Sequence, residues 1–273
     1  MKQIFRIAPT PSGYLHIGNA MSFVYTAKLA NAAQGNLLLR IDDIDFERTR
    51  PEYLQDIFDT LEFLNIKNIG PKTVDEHVKN YTQQLRMELY KKTLQQLINT
   101  GLVYACTCSR KTMEQYNGNC ICNGTIVNKQ DNDVALRINI SEGTIIEFTD
   151  KIKGPVKINL HQQTKNFVVW RKEDIPAYQL TSLCDDVLYG VTDVVRGEDL
   201  LSSSAMQLYL AGLLRYDNFL NCTFYHHPVI VNNAGEKLSK SAGSVSIQDM
   251  HKQKTAKEIM TMIDDMLKDY KLV

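Results

Sequence analysis

The sequence lacks several features that would assign it to a specialised class of protein. Its 273 residues include no run of 18 apolar residues, so no membrane span is predicted. The start, MKQIFRIAPTPSG, lacks the apolar segment of a signal peptide, and we therefore expect a cytoplasmic protein. Lys and Arg total 31, as do Asp and Glu, so the formal net charge is zero. Without an overall basic field, any polyanion must be bound by local clusters of positive charge.

The sequence also lacks internal repeats, low-complexity tracts and long linkers. In its first part, the apolar runs QIFRIA (3–8) and NLLLRI (36–41) alternate with segments of helical periodicity, which predicts a parallel α/β sheet. Three later segments alternate apolar and polar residues, as antiparallel strands do, and we expect them to form an insertion packed beside the sheet. Parallel-sheet character resumes at FVVW (167–170) and ends with a strand at HHPVIVN (226–232). The predicted divisions are 1–101, 102–165, 166–243 and a short helical tail, 244–273.

The stretch APTPSGYLHIGNA (8–20) joins the first predicted strand to the first predicted helix. Helix N-termini bind phosphate through free N–H groups and the positive end of the helix dipole. Gly13 and Gly18 permit close approach of a ligand to the backbone, and His16 adds a hydrogen-bond donor. A plain strand-to-helix turn with a surface histidine is the alternative.

A second stretch, GEKLSKSAG (235–243), follows the last predicted strand. Lys237 and Lys240 lie three residues apart among small residues and glycines, which predicts a mobile cationic loop. A solvated basic turn is the alternative and the commoner identity of such loops. A phosphate-binding helix start together with a cationic loop favours a nucleotide site more than either feature does alone.

The third stretch, CTCSRKTMEQYNGNCIC (106–122), holds four of the six cysteines. Disulfides are rare in the cytoplasm, and thiolates in close pairs are preferred ligands of tetrahedral Zn²⁺. The C-x-C spacing is tighter than the usual C-x-x-C of zinc sites. A structural zinc site and four reduced cysteines on an ordinary loop therefore both remain open.

Taken together, the motifs resemble those of class I aminoacyl-tRNA synthetases of the glutamyl type. HIGN (16–19) resembles the first class signature, HIGH, and KLSKS (237–241) resembles the second, KMSKS. Further blocks resemble the family in the same order: RIAPTPSG (6–13), LLRIDDID (38–45), AYQLTSLCDD (177–186) and VTDVVRGEDLL (191–201). The resemblance extends from residue 4 to about residue 243.

The resemblance implies a Rossmann-like catalytic domain with a connective insertion. It also implies attack of a glutamate carboxylate on the α-phosphate of ATP, which travels with Mg²⁺. Such a reaction needs positioning and charge stabilisation rather than a nucleophile from the protein. The implied catalytic residues are His16, Lys237 and Lys240. The implied ATP ligands are Gly13, His16, Gly18, Asn19, Lys237 and Lys240.

A glutamate pocket is implied in the same way. Arginine suits it because a guanidinium can hold a carboxylate with two parallel hydrogen bonds. The implied glutamate ligands are Arg6, Ala8, Thr10, Asp42, Tyr178 and Arg196. For Arg6 alone, a salt bridge to a core carboxylate is the alternative. The family usually has RIED where this chain has RIDD (40–43). Asp42 is therefore one methylene shorter than the family's glutamate, which binds the substrate ammonium. A water molecule or a shift of the backbone would have to close the gap.

Only 32 residues follow Ser241, fewer than the anticodon-reading domain of a full glutamyl-tRNA synthetase needs. The chain thus resembles the truncated branch of the family, the glutamyl-queuosine tRNA-Asp synthetases. That resemblance implies activation of glutamate without tRNA and its transfer to queuosine in the anticodon arm of aspartate tRNA, by a monomer. The alternatives are a stand-alone catalytic half that charges a tRNA 3′ end, a small-molecule nucleotidyltransferase, and a regulator that has lost activity.

This branch also implies zinc ligands, namely Cys106, Cys108, Tyr116 and Cys120. Cys122 lies outside that pattern and is a rival fourth ligand, since thiolate normally binds zinc better than phenol does. A closed, structural site near the RNA path is expected in either case.

Overall fold

The computed structural model describes residues 2–122, 134–229 and 245–272. The strands are β1 (Ile4–Ile7), β2 (Asn36–Leu39), β3 (Val103–Cys106), β4 (Ala135–Ile138), β5 (Ile145–Asp150), β6 (Gly154–Asn159), β7 (Val168–Trp170), β8 (Asp193–Gly197) and β9 (Thr223–His227). The helices are α1 (Ile17–Ala32), α2 (Pro51–Phe63), α3 (Val74–Asn80), α4 (Met87–Ile98), α5 (Arg110–Gln115), α6 (Leu160–Thr164), α7 (Tyr178–Leu188), α8 (Leu201–Leu214), α9 (Asp217–Leu220), α10 (Ile247–His251) and α11 (Ala256–Asp269).

The main sheet has six strands in the order β2-β1-β8-β9-β5-β6. β1 pairs in parallel with both β2 and β8, and β8 pairs in parallel with β9. Because the strands run the same way, their carboxyl ends meet at one edge of the sheet, where ligands of open α/β folds bind. The predicted parallel α/β architecture is confirmed.

Three strand assignments made from the sequence are wrong. The last strand, β9, begins at Thr223, before the predicted range 226–232, and Pro228 and Val229 lie outside it. The hairpin of β5 and β6 does not lie beside the main sheet but extends it, because Asp150 at the end of β5 pairs in parallel with Phe224 of β9. β7 does not resume the parallel sheet; it pairs antiparallel with β4 in a separate sheet of order β3-β4-β7. Periodicity predicts which face of a strand is buried, but not which neighbour completes its hydrogen bonds.

Apolar side chains pack on both faces of the main sheet, as alternation along its strands requires. Leu37 and Leu39 of β2 belong to a core with α1, α2 and α11, whereas Leu38 belongs to a second core with α4, α7 and α8. The central strands are therefore covered by helices on both sides.

The predicted helical tail forms α10 and α11. A capping box starts α11: the Thr255 side chain accepts from the Glu258 N–H, and the Glu258 carboxylate accepts from the Thr255 N–H. Ile259, Ile263 and Leu267 recur at helical spacing and are fully buried in the core that α11 shares with α1. No helix in the described part of the chain is both long and apolar enough to cross a membrane.

Candidate active site

A cavity of about 610 Å³ opens at the carboxyl ends of β1 and β8, beside the start of α1. Its walls include most of the residues implied for ATP and glutamate: Arg6, Ala8, Thr10, His16, Gly18, Asn19, Tyr178 and Arg196. They come from three distant parts of the sequence, and the sheet brings them together.

His16 is fixed at the N-terminus of α1 by its own hydrogen bonds. Its Nδ1 accepts from the Gly18 N–H at 3.1 Å, and its backbone N–H donates to Asn19 Oδ1 at 3.2 Å. Because Nδ1 accepts, the proton of the neutral ring is on Nε2. A histidine held in this tautomer at a helix N-terminus can donate from Nε2 to a phosphate oxygen.

Arg6 is buried and its guanidinium is shared between the cavity and the core. Its Nε donates to Asp186 Oδ1 at 3.3 Å and its Nη1 to the Val195 carbonyl at 3.1 Å. Asp186 Oδ1 also accepts from Arg40, which directly follows β2. The salt bridge considered as the alternative for Arg6 is therefore present, and Arg6 lines the cavity as well.

Arg196 is the second arginine of the cavity, and it has no carboxylate partner among the described residues. Its Nη2 donates to Gln207 Oε1 at 2.9 Å, while Nε and Nη1 are buried without a hydrogen-bond partner in the described part of the chain. Burial lowers the pKa of Arg196 to about 10, and interaction with Tyr178 opposes this decrease. Arg196 thus remains a cation at neutral pH with two donors available to a ligand.

The buried arginines beside the cavity differ in their partners. Arg6 and Arg40 pair with Asp186, and Arg40 also pairs with Asp42, whereas Arg196 forms no ion pair among the described residues. The neighbouring Asp185 is neutralised separately by Arg86, at 2.7 Å. Since an unpaired buried charge is costly, one anionic group of a ligand would complete this cluster.

Two of the implied ligands, Gly13 and Asp42, are not among the residues that line the cavity within the described ranges. Both carboxylate oxygens of Asp42 accept from Arg40, at 2.8 and 3.1 Å. Burial raises the pKa of Asp42, and the Arg40 cation opposes the increase. In this position Asp42 orients Arg40; its binding of a substrate ammonium stays a prediction.

Lys237 and Lys240 lie outside the described residues. The chain on either side of them adjoins the site: Val229 lines the cavity, and Ser246 forms an antiparallel bridge with His16. Their catalytic role stays a prediction.

Sequence reasoning missed several residues of the cavity wall, among them Ser22, Asp199 and His227. His227 contacts Ser22, with Nε2 to Oγ at 3.0 Å. A Cβ at residue 197 would collide with the Asp199 carboxylate, so Gly197 allows this acid to lie at the cavity. In the sequence, only the glycine after Arg196 could have indicated that Asp199 lies at the cavity.

A hydrogen-bonded chain of Ser204, His226 and Asp150 lies beneath the cavity. Ser204 Oγ is 2.6 Å from His226 Nε2, and His226 Nδ1 is 2.6 Å from Asp150 Oδ2. The order matches a hydrolytic triad, but all three side chains are at most 1% exposed and none lines the cavity. These hydrogen bonds therefore join β5, β9 and α8. Their role is structural, and they do not act on a substrate.

The four cysteines of residues 106–122 form what we call the cysteine cluster: Cys106, Cys108, Cys120 and Cys122. Their sulfur atoms lie within 4.8 Å of one another, and all four are thiols rather than halves of disulfides. Arg137 Nε lies 3.3 Å from the Cys106 sulfur and supplies a positive charge. Four sulfurs at such separations could hold one metal ion.

The thiols of the cluster differ in acidity. Burial would raise the pKa of Cys122, but hydrogen bonds, mainly from Thr107, lower it to about 6. Burial raises the pKa of Cys120 to about 12. The Tyr116 side chain, the implied fourth ligand, is 51% exposed. The grouping of the sulfurs favours Cys122 over Tyr116 as the fourth ligand.

Comparison with known proteins agrees with this geometry. Residues 3–131 and 122–267 match the model of a family described as tRNA synthetases class I (E and Q), catalytic domain. The chain belongs to this family. It is similar to curated proteins named glutamyl-Q tRNA(Asp) synthetase. One from Pseudomonas putida is 38% identical over 91% of this chain and 79% of its own length, and one from Pseudomonas aeruginosa is 37% identical over 86% and 76%.

Among solved class I synthetases, the glutamate-tRNA synthetase of Elizabethkingia anophelis superposes with a TM-score of 0.73 at 23% identity. The match covers 89% of this chain but 53% of that one, so the chain spans about half the length of this structural relative. At this identity the likeness concerns the fold alone. The predicted resemblance and the predicted class I synthetase fold are confirmed.

Proposed function

We propose that the chain activates glutamate with ATP in the absence of tRNA and transfers it to queuosine in the anticodon of aspartate tRNA. The observation that carries the proposal is Arg196, a buried cation with two donors and no carboxylate partner among the described residues. Such a group suits the side-chain carboxylate of glutamate. The relatives named glutamyl-Q tRNA(Asp) synthetase support the RNA substrate. The proposal places the enzyme in the cytoplasm, as a monomer.

The reaction has two steps. A carboxylate oxygen of glutamate attacks the α-phosphorus of ATP, and the bond to the bridging oxygen breaks as pyrophosphate leaves. A hydroxyl on the cyclopentene ring of queuosine then attacks the activated carbonyl, loses its proton and displaces AMP. ATP binds with Mg²⁺, which supplies positive charge to the phosphates.

The cavity residues bind and orient the reactants in this proposal. Arg196 and Arg6 hold the glutamate side chain, and Thr10 and Tyr178 add hydrogen bonds. The Nε2 proton of His16 stabilises the charge that develops on the phosphates, and Lys237 and Lys240 follow the leaving pyrophosphate. No general base is needed in the first step, because the attacking carboxylate is already ionised.

The test measures glutamate-dependent exchange of labelled pyrophosphate into ATP without tRNA. We then offer labelled glutamate to aspartate tRNA with and without queuosine. We expect exchange without tRNA and labelling only of the queuosine-containing tRNA. Exchange that requires tRNA would instead support a glutamyl-tRNA synthetase half, and labelling that ignores queuosine would refute the proposed acceptor.

We further propose that the cysteine cluster holds a structural Zn²⁺ with Cys122 as its fourth ligand. Four thiols with sulfurs within 4.8 Å of one another match the donor set that tetrahedral Zn²⁺ prefers. Such an ion would hold β3 against the segment that follows α5, and it would leave no open position for catalysis.

A further inference from the structure

Gln207, on α8, is a residue for which the proposed function has not yet given a role. It is fully buried and does not line the cavity, but its Oε1 accepts from Arg196 Nη2 at 2.9 Å. The contact crosses from β8 to the helix behind it. Arg196 faces the cavity, and Gln207 holds it from the opposite side.

The orientation of the Gln207 amide is set by chemistry. A guanidinium can only donate, so the amide oxygen must face Arg196 and the amide NH₂ must point away from it. That Nε2 has no hydrogen-bond partner in the described part of the chain, although it is buried. Gln207 is therefore held in place for its single contact with Arg196 at the cost of an unsatisfied donor.

Gln207 is uncharged, so Arg196 has a neutral partner where the other buried arginines of the site have carboxylates. Arg6 and Arg40 both donate to the Asp186 carboxylate, and Arg40 also donates to Asp42. Arg196 is offered an acceptor of the same shape as a glutamate side chain but without its charge. A glutamate here would reach the same nitrogen and neutralise it, and Arg196 would no longer be available as an unpaired cation.

We propose that Gln207 is a specificity-determining positioning residue, which orients Arg196 while leaving its charge available to an acidic substrate. The inference rests on the proposed function, because it takes glutamate as that substrate. It adds that the preference for glutamate over glutamine depends on a neutral side chain outside the cavity wall.

The decisive variant is Gln207→Glu, which keeps the size and the acceptor and changes only the charge. We expect the KM for glutamate in tRNA-independent exchange to rise about 10- to 100-fold, because a charge-assisted hydrogen bond is worth roughly that factor, while the KM for ATP stays the same. The kcat/KM ratio of glutamate over glutamine should fall at least about tenfold. The thermal midpoint should not decrease, since the buried cation gains a partner.

Gln207→Met removes the acceptor without adding charge. We expect it to raise the KM for glutamate about 10-fold and to leave the preference over glutamine less affected than Gln207→Glu does. Gln162→Glu makes the same chemical change at an exposed position of α6 and should match the wild type in every measurement. Should Gln207→Glu fail to fold, Gln207→Met carries the test through the KM for glutamate.

The outcomes separate the two proposals. Wild-type protein that neither exchanges pyrophosphate with glutamate nor binds it in calorimetry refutes the proposed function, and this inference falls with it. Wild-type protein that uses glutamate, beside a folded Gln207→Glu variant with unchanged KM and unchanged preference, refutes only the role of Gln207. A Gln207→Met variant whose KM for glutamate equals that of the wild type would likewise refute only the role of Gln207.

Discussion

The cavity and the cysteine cluster are assembled in opposite ways. The two arginines of the cavity, Arg6 and Arg196, are far apart in the sequence, and the parallel sheet brings them together with Arg40 in a buried core. The four cysteines come from 17 consecutive residues, and three of them are partly exposed. The fold therefore forms the cavity in advance, whereas the arrangement of the cluster would be stabilised by the ion that we propose its thiols bind.

The largest effect that this comparison predicts is in the cavity, for Arg196→Met. Removing the cation that receives the substrate carboxylate should cost about 3–5 kcal/mol, or roughly 10²- to 10⁴-fold in kcat/KM for glutamate. The thermal midpoint should stay the same or rise, because an unpaired buried charge is lost. Pyrophosphate exchange and thermal unfolding measure the two quantities.

Arg215→Met is the matched control, since Arg215 is exposed at the end of α8. It should leave exchange unchanged. An Arg196→Met protein with near-normal kcat/KM would show that the unpaired charge of Arg196 does not bind the substrate.

A smaller effect is expected from the cysteine cluster. Cys122→Ser should lower the zinc content of the purified protein well below about one ion per chain, and Tyr116→Phe should leave it unchanged. Because the cavity is formed by the core, exchange without tRNA should change by less than about twofold in both variants. Metal analysis and limited proteolysis of residues 102–122 are the measurements.

The reverse result, zinc lost in Tyr116→Phe and retained in Cys122→Ser, would assign the fourth position to the phenol. Wild-type protein that is well folded and free of metal would refute the site. A large loss of tRNA-independent exchange on chelation would contradict the separation of the two regions.

The smallest effect concerns how the free energy of unfolding depends on pH, and it involves the hydrogen-bonded residues Ser204, His226 and Asp150 beneath the cavity. Burial lowers the pKa of His226 below its ordinary value of about 6.5, so the unfolded protein takes up a proton that the folded protein does not. The free energy of unfolding should therefore fall as the pH decreases from 7 to 5, and less steeply in His226→Gln. The pKa of Asp150 is also lowered, since the hydrogen bonds from His226 and the backbone outweigh burial, but its contribution is lost only near pH 4 and below.

Urea unfolding at several pH values measures this slope. His251→Gln is the control, because His251 is exposed on α10 and should leave the slope unchanged. An identical slope in wild type and His226→Gln would show that His226 is not held neutral by the fold.

The sequence predicted the parts of this molecule that local chemistry decides. The turn before His16, the alternation of apolar strands and helices, and the grouping of cysteines all follow from spacing and residue type. The resemblance added the ligand role of Arg6 and Arg196, which no local pattern distinguishes from a core salt bridge. In the structure Arg6 forms that salt bridge and also lines the cavity, and its ligand role stays a prediction.

The sequence could not predict what depends on contacts between distant segments. Nothing in TIIEFTD (144–150) indicates that its last residue pairs with Phe224, because the backbone hydrogen bonds between strands carry no side-chain signature. Gln207 was missed for a similar reason. A glutamine in an apolar helix has meaning only once the arginine on the neighbouring strand is known.

The packing of α11 on α1 has a consequence for how the protein is made. Ile259 and Ile263 complete the core around the first helix, and β1 pairs with β8, so early and late segments need one another. On a ribosome that adds about 5–20 residues per second, α1 would wait for about 10 to 45 seconds before its covering helix is synthesised. Contacts of such long range also slow folding itself. The nascent chain should therefore expose an apolar surface until α11 has been made, which would make it a substrate for chaperones that bind such surfaces.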